Sequence, residues 1–168
     1  VVGDKIIAAA GVGHLSWDLS DRRGYCNGTR ALDTNTMKWE SLPDTPVGVR
    51  WPEGVAVGKN FYMATGWITT EPPDTTTNRM FRLYTKDGSW RWDEMASMRT
   101  GRFIPGMAAS GTKIIVVAGQ ASFGLDPIHG DQPGPYINSV ECFDTEYPEN
   151  GWFDLPPIPG PPREAVSI

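Results

Sequence analysis

The sequence has few of the residues that build disulfide frameworks and metal centres. Its 168 residues include 2 cysteines and 2 histidines, too few for a disulfide scaffold and a poor supply of zinc ligands. Acidic residues (20) outnumber basic ones (15), giving a net charge of −5, whereas phosphate binding requires a basic surface. No apolar run approaches the roughly 20 residues of a membrane-spanning helix. We therefore expect no metal or other cofactor, no nucleic-acid partner and no membrane span in this segment.

Turn-forming and aromatic residues are abundant instead. Gly (19) and Pro (15) together make up about a fifth of the chain, against roughly an eighth in average proteins. The 18 aromatic residues are too many for a disordered chain. This composition favours many short strands over helices. The chain begins at Val1, without an initiator methionine or a secretory signal, which predicts a processed product or a piece of a longer protein.

A Trp followed by an Arg recurs three times along the chain. The three tryptophans lie 53 and 60 residues apart, and each is followed three residues later by a large apolar residue. An Arg follows each Trp by 10 or 11 positions. The pairs are Trp39 with Arg50, Trp92 with Arg102, and Trp152 with Arg163.

Two further markers recur with the same period. Strand-like apolar runs end in Gly11, Gly66 and Gly119, which are 55 and 53 residues apart. An apolar residue and a polar turn residue then precede each Trp by seven to nine positions, as Leu32-Asp33, Leu83-Tyr84 and Phe143-Asp144. Three markers in one order, three times over, predict a repeat architecture.

This pattern resembles the Kelch repeat, a unit of about 50 residues. The Kelch unit has an Arg, two strands of which the second ends in Gly-Gly, a Tyr-Asp pair and a Trp. The present chain has Ala-Gly or Thr-Gly in place of the double glycine, and Leu-Asp, Leu-Tyr or Phe-Asp in place of the Tyr-Asp pair. The resemblance implies an all-β fold: a Kelch-type β-propeller segment of about three four-stranded antiparallel blades.

The resemblance also divides the chain into blades. Residues 1–50 form the end of a first blade, 51–101 a second, 102–162 a third, and 163–168 begin the first strand of another. We expect strands at 5–10, 29–33 and 38–42, at 52–57, 60–66, 79–84 and 91–95, and at 103–109, 113–118, 138–143 and 151–155. Propellers close with four to eight blades. The chain is therefore either part of a longer propeller or half of a ring that two copies close.

Three long connections are the expected binding surface. They join the second and third strands of each blade, from Val12 to Gly28, Trp67 to Asn78 and Gln120 to Ile137. In a meandering blade these connections lie at the same end of the sheet as the connections between blades. Long loops on a rigid scaffold commonly carry function, and aromatic residues beside charges are typical of recognition patches. The alternative is that these side chains only pack and solvate their own loops. The candidate binding residues are His14, Trp17, Arg22, Arg23, Trp67, Phe123, His129 and Tyr136.

Most of these features also have a structural interpretation. Arg50, Arg102 and Arg163 are expected to bond carbonyls and carboxylates of the neighbouring blade. Trp39, Trp92 and Trp152 are expected to pack between sheets, and Gly11, Gly66 and Gly119 to permit close backbone approach. Trp90 and Trp92 point to the same side of a strand, which suits blade packing or, alternatively, stacking on a sugar.

The two histidines are expected to be ordinary loop residues. His14 and His129 lie in different loops, without a second ligand at zinc-like spacing. Some Kelch-like propellers belong to secreted copper oxidases resembling galactose oxidase, which use a Tyr linked to a Cys. Tyr25 and Cys26 are adjacent in sequence, which is not evidence for such a link.

The cysteines and a glycosylation motif bear on the compartment. Asn27-Gly28-Thr29 is an acceptor for N-glycosylation if the protein is secreted. Cys26 and Cys142 are expected not to pair with each other, because a whole blade intervenes, and Cys142 is expected to be a buried core thiol.

The sequence predicts a non-enzymatic interaction or scaffold module, extracellular or on the cell surface. Its expected partner is a protein or an assembly neighbour, with a glycan as a further option. The alternatives are part of a secreted carbohydrate-active or copper-radical oxidase and an intracellular, cytoplasmic Kelch adaptor.

Overall fold

The chain folds into short antiparallel strands. The computed structural model describes residues 1–11, 26–68, 75–121, 124–126, 130–132 and 135–163, and it contains one short 3-10 turn at Pro148–Asn150 among those residues. The strands are β1 (Lys5–Ala9), β2 (Thr29–Asp33), β3 (Lys38–Leu42), β4 (Glu53–Val57), β5 (Asn60–Ala64), β6 (Trp67–Ile68), β7 (Thr75–Thr76), β8 (Met80–Lys86), β9 (Ser89–Met95), β10 (Gly106–Ser110), β11 (Lys113–Val117), β12 (Gly124–Asp126), β13 (Gly130–Gln132), β14 (Val140–Asp144) and β15 (Trp152–Leu155).

Three of the sheets follow the predicted repeat. The first sheet has the order β1-β2-β3, the second β4-β5-β8-β9 and the third β10-β11-β14-β15. All neighbouring strands in them are antiparallel. The expected all-β fold of Kelch-type blades is confirmed.

Several observed strand boundaries differ from the prediction, and for β8, β9 and β10 the reasons are local. β8 and β9 extend toward each other until only Asp87 and Gly88 connect them, both at positive φ, as the tightest hairpin turns require. β10 begins at Gly106 rather than at residue 103. Pro105 lacks a backbone donor, and Ile104 has a φ of 49°, so neither continues the strand.

The long connections contain structure that the sequence analysis did not predict. β6 pairs with β7, and β12 pairs with β13, each as a two-stranded hairpin between the second and third strands of its blade. β6 and β7 are short Trp-Ile and Thr-Thr pairs, rich in the aromatic and β-branched residues that favour strands. These connections were expected to be turn-rich loops, and that expectation is wrong for these two segments.

A row of three apolar side chains crosses each sheet at the same register. The row is Ile6, Leu32 and Trp39 in the first sheet, Phe61, Leu83 and Trp92 in the second, and Ile114, Phe143 and Trp152 in the third. Residues directly opposite each other on paired strands share a sheet face. We call the face that carries this row the leading face, and the opposite face the trailing face.

Each sheet packs its leading face on the trailing face of the sheet before it. Leu83 and Trp92 of the second sheet contact a cluster with Ala31 and Leu42 of the first. Phe143 and Trp152 belong to a cluster that also contains side chains of the second sheet. Burial of these large rings supplies much of the hydrophobic stabilisation between blades.

The tryptophans also make one hydrogen bond each across these junctions. The Nε1–H of Trp92 donates to the carbonyl of Pro43 at 2.9 Å, and that of Trp152 donates to Ala96 at 2.8 Å. Both acceptors lie four residues after the Trp of the preceding sheet. The predicted packing role therefore holds for these two tryptophans. Trp39 differs, since it is 58% exposed and no sheet in the described part of the chain precedes its own.

The glycine that ends each second strand has a steric role in two blades. A Cβ on Gly66 would lie 2.6 Å from the carbonyl oxygen of Arg50, and one on Gly119 would lie 2.8 Å from that of Phe103. Both glycines have positive φ. The residue before each also has positive φ, namely Thr65 and Ala118, although these are side-chain-bearing residues for which that conformation is unfavourable.

Candidate functional site

The connections between blades meet the long connections at one end of the sheets. Arg50 and Trp67 exchange two backbone hydrogen bonds of 2.8 and 2.9 Å, and Phe103 and Gln120 do the same at 2.9 and 2.8 Å. Gln120 also forms a bridge with Tyr136. The two kinds of connection therefore form one continuous surface, which we call the loop end.

Three aromatic rings cluster at the loop end. The ring of Trp51 lies 5.0 Å from that of Phe103 and 6.5 Å from that of Trp67, and the rings of Trp67 and Phe103 are 5.8 Å apart. Trp67 and Phe103 are buried, whereas Trp51 is 44% exposed. The rings of Trp67 and Phe103 thus pack against one side of the Trp51 indole, and the rest of that indole reaches solvent.

An arginine completes this aromatic cluster. The guanidinium carbon of Arg50 lies 3.7 Å from the centroid of the Trp51 ring, within cation–π distance. Trp51 holds a φ of 52°, and Ile104, which precedes a proline at the same position of the third blade, holds a φ of 49°, so this conformation belongs to the repeat. Because Trp and Arg are the residues most enriched at the energetic centres of protein interfaces, we call Arg50 and Trp51 the Arg–Trp patch.

The Arg–Trp patch was not fully anticipated from the sequence. Arg50 was assigned a structural role, and Trp51 was not singled out. A signal was present: each repeat arginine is followed by a different residue, and only in the second blade is that residue a Trp.

Arg102 lies in the interior of the third blade. Its guanidinium is fully buried and donates to the carbonyls of Ala118 and Ser139, to the Ser139 hydroxyl and to the carboxylate of Glu141. Glu141 in turn accepts the backbone N–H groups of Arg99 and Thr100. Burial lowers the pKa of the Arg102 guanidinium, and the charge of Glu141 opposes that shift. The Arg102 guanidinium therefore bonds a carboxylate and carbonyls, as expected, but these belong to its own blade rather than to the neighbouring one.

The other two repeat arginines depart further from the expected role. Arg50 stacks on Trp51, and Arg163 donates to the carbonyls of Pro159 and Pro161. Arg50 lies one position beyond the structural counterpart of Arg102. The carbonyls of Val49 and Arg102 accept the backbone N–H of Gly11 and Gly66, respectively. Val49 therefore holds the Arg102 position in the second blade, where it is buried in a cluster with Phe81, the residue at the position of Glu141.

The structure describes two of the eight candidate binding residues. Tyr136 is exposed at the loop end. Trp67 is not at the surface: it is 4% exposed, because its ring fills the space beside Trp51 and Phe103. Its assignment as a binding residue is therefore corrected to packing. The remaining candidates lie outside the described residues, namely His14, Trp17, Arg22, Arg23, Phe123 and His129.

Trp90 and Trp92 do not form an open stacking platform. Both are partly buried against the cluster that joins the first and second sheets. Of the two interpretations of this pair, blade packing is the one that the structure supports.

An asparagine five residues before each third-strand apolar residue is a marker that the sequence analysis missed. Asn78 and Asn138 donate their side-chain amides to the carbonyls of Met98 and Ile158, which lie 20 residues further along the chain. Asn27 holds the same position in the first blade. Its side chain is exposed, and its backbone carbonyl accepts hydrogen bonds from Thr45.

The cysteines are free thiols in the structure. Cys142 is buried in β14, and Cys26 is half-buried. Burial raises the pKa of the Cys142 thiol, which keeps it protonated and unreactive. The expectation of a buried core thiol is confirmed for Cys142.

Within the described residues, no three His, Cys, Asp or Glu side chains group closely enough to hold a metal ion. None of the helices in the part of the chain described above is long and apolar enough to cross a bilayer.

Comparison with known proteins gives consistent relatives. No family model matches the chain. Kelch domain-containing protein 3 of Bos taurus is 29% identical over 154 residues and that of Homo sapiens 30%, covering 83% of this chain and 36% of each relative. The chain thus spans about a third of the length of the curated relatives it matches. The solved structure of YjhT superposes with a TM-score of 0.72 at 13% identity, covering 96% of this chain and 55% of that one.

Proposed function

Because the chain belongs to the Kelch-repeat family, we propose that it is a non-enzymatic interaction module that binds a protein partner through its loop end. The observation that carries this proposal is the Arg–Trp patch. A half-exposed indole, fixed by two buried aromatic rings and covered in part by a guanidinium, offers a large rigid contact surface at low cost in conformational entropy.

The chemistry of the patch suggests the kind of partner surface. The guanidinium of Arg50 offers donors to carboxylates or backbone carbonyls, while the exposed part of the Trp51 ring suits an apolar or aromatic side chain. Tyr136 adds a second exposed ring at the same end. A partner with an acidic group next to an apolar anchor matches these features.

Site-specific photo-crosslinking combined with substitution tests this proposal. A photo-reactive residue placed at Tyr136 should crosslink a reproducible set of proteins in the native extract. Trp51→Ala should remove that set, while Tyr147→Ala should leave it unchanged. Tyr147 is a matched control, because it is an exposed aromatic residue in the β14–β15 connection, at the other end of the sheets. An unchanged set in the Trp51→Ala protein would refute the proposal.

We also propose an extracellular or cell-surface location, based on Asn27. This residue is exposed and stands in an acceptor motif, and among the described residues its amide has no later carbonyl as acceptor, unlike the amides of Asn78 and Asn138. Expression through the secretory pathway should add a glycan that glycosidase treatment removes and that Asn27→Gln abolishes. A mass without hexose in material from the natural source would instead support the cytoplasmic adaptor.

No observation on the described residues favours the oxidase alternative. Its test is direct: copper is added to the purified chain, and stoichiometric binding is measured by electron paramagnetic resonance. Because the proposed module is non-enzymatic, we expect no bound copper and no alcohol oxidation.

A further inference from the structure

The Arg–Trp patch is supported by residues of two blades. Two buried rings pack against Trp51, and they come from different sheets. Trp67 lies in the second blade, directly after Gly66. Phe103 belongs to the third blade, where it exchanges two backbone hydrogen bonds with Gln120. How the loop ends of these two blades are joined therefore determines how Trp51 is supported.

The backbone of Arg102 makes this join on the side of the second blade. Its carbonyl accepts the N–H of Gly66 at 3.0 Å, and its own N–H donates to the carbonyl of Thr77 at 3.4 Å. The chain lies close to the second blade here, since a Cβ on Gly101 would be 3.1 Å from the carbonyl oxygen of Thr76. The bond to Gly66 thus joins the two residues that directly precede the supporting rings.

The side chain of Arg102 makes the join on the side of the third blade. Its guanidinium donates to the carbonyls of Ala118 and Ser139 at 3.1 Å each, and to the carboxylate of Glu141. The side chain is fully buried, so water does not compete for these bonds. Because a planar guanidinium presents its donors in a fixed fork, these acceptors fix the orientation of the residue that Phe103 directly follows.

Stability alone does not account for a buried ion pair at this position. At the boundary between the first and second blades, Val49 stands in place of Arg102 and packs in an apolar cluster with Met63 and Phe81. Replacing a buried ion pair by well-packed apolar side chains is often neutral or stabilising. Apolar contacts are non-directional, however, whereas charge-assisted hydrogen bonds add geometric specificity. The ion pair therefore contributes a fixed geometry at the boundary where the aromatic rings meet.

We infer that Arg102 is a positioning residue for the Arg–Trp patch: its buried side chain holds the second and third blades in the arrangement in which Phe103 packs against Trp51. Arg102 is fully buried, so it acts on a bound partner through these rings rather than by contact. Glu141 is part of the device, because it is the counter-ion of the guanidinium. The effect of Arg102 on partner binding rests on the proposed function, whereas its effect on Trp51 does not.

The first readout needs no partner. With 5-fluorotryptophan in place of tryptophan, fluorine NMR gives a signal for each indole, and Trp51→Phe assigns that of Trp51. In the double variant Arg102→Met with Glu141→Met, the Trp51 signal should shift by more than its linewidth, while that of Trp39, an exposed indole of the first blade, should stay in place. Ile114→Ala is the matched control and should not move the Trp51 signal, because Ile114 is fully buried in the same blade, in the half of β11 away from the loop end.

The second readout is the yield of the crosslink from Tyr136. In the same double variant it should fall by about 2- to 30-fold, the range typical of residues that act on a site without touching its ligand. Urea unfolding separates this effect from stability, because the double variant should regain most of the midpoint that Glu141→Gln loses. A purely structural role predicts that the yield recovers together with the midpoint. Arg102→Lys is a second variant, which keeps a charge beside Glu141 but loses the fixed fork of donors, and it should change both readouts in the same direction.

The possible outcomes separate this inference from the proposed function. The inference is overturned if the double variant and Arg102→Lys both leave the Trp51 signal in place, if Ile114→Ala moves that signal equally, or if the yield follows the urea midpoint across the variants. The proposed function fails separately, when Trp51→Ala leaves the crosslinked set unchanged. In that case the fluorine signal still decides whether Arg102 positions the patch. Circular dichroism verifies that each variant is folded.

Discussion

The buried pair of Arg102 and Glu141 gives the largest single effect that the structure predicts. Glu141→Gln keeps the size of the side chain but removes its charge, and it turns one acceptor toward Arg102 into an amide donor. Both side chains are 0–1% exposed, so water cannot take the place of the lost carboxylate. The change also weakens the acceptor of the backbone N–H groups of Arg99 and Thr100.

The magnitude follows from leaving a buried charge without its counter-ion. Removal of one member of a buried ion pair typically lowers the free energy of unfolding by about 3–5 kcal/mol. With a urea dependence of about 2 kcal/mol/M, this corresponds to a midpoint lower by about 1.5–2.5 M. The assay is equilibrium urea unfolding followed by tryptophan fluorescence, which reports on the junction residues Trp92 and Trp152.

Two companion variants separate the buried pair from ordinary surface charge. Asp154→Asn removes the partner of Arg99, whose ion pair is exposed on both sides, and it should change the free energy of unfolding by less than about 1 kcal/mol. A double variant, Arg102→Met with Glu141→Met, should recover much of the loss, because no unpaired charge remains in the interior. If Glu141→Gln and Asp154→Asn have equal effects, the reasoning from burial is refuted.

Three further predictions concern separate features of the fold. The ammonium of Lys113 bonds Asp144 at 2.8 Å and is the main reason that the pKa of this carboxyl is lowered. The stabilisation that the ion pair supplies is therefore present above the ordinary Asp pKa and is lost as pH falls through the lowered pKa. Urea midpoints measured from neutral to acid pH should therefore fall less on acidification in Asp144→Asn than in the unchanged protein. Ala10 has a φ of 57° and is half-buried, so Ala10→Gly should raise the free energy of unfolding by about 0.5–1 kcal/mol. This value is the left-handed backbone strain that the change relieves, less the conformational entropy that glycine adds to the unfolded chain. A lower melting temperature would contradict this prediction. A thiol reagent should modify Cys26 in the native protein and Cys142 only after unfolding, because Cys142 is buried with a raised pKa; equal rates for both thiols would show that β14 is accessible.

The repeat markers identified the architecture because each marker has a local cause. A glycine at positive φ, an apolar strand of alternating burial and a Trp on the last strand all follow from short-range sequence, and Gly66, Ile114 and Trp152 are found where the period puts them. The hairpins β6–β7 and β12–β13 were missed, since strands of two or three residues have no periodicity from which to predict them.

The sequence by itself determined the order and spacing of the three repeat units in this chain and the identity of the residues between them, because these depend on period and residue type. Only the tertiary structure decided which copy of each marker is buried. Trp39 and Trp92 stand in the same local sequence context, but one is exposed and the other packs on a neighbouring sheet. Arg50 and Arg102 likewise share a marker, but in the second blade the Arg102 position is held by Val49, which packs with Phe81 where the third blade has Glu141, and Arg50 lies one residue further on and stacks on Trp51. Contacts between residues 30 to 60 positions apart decide these outcomes, and no local pattern encodes them.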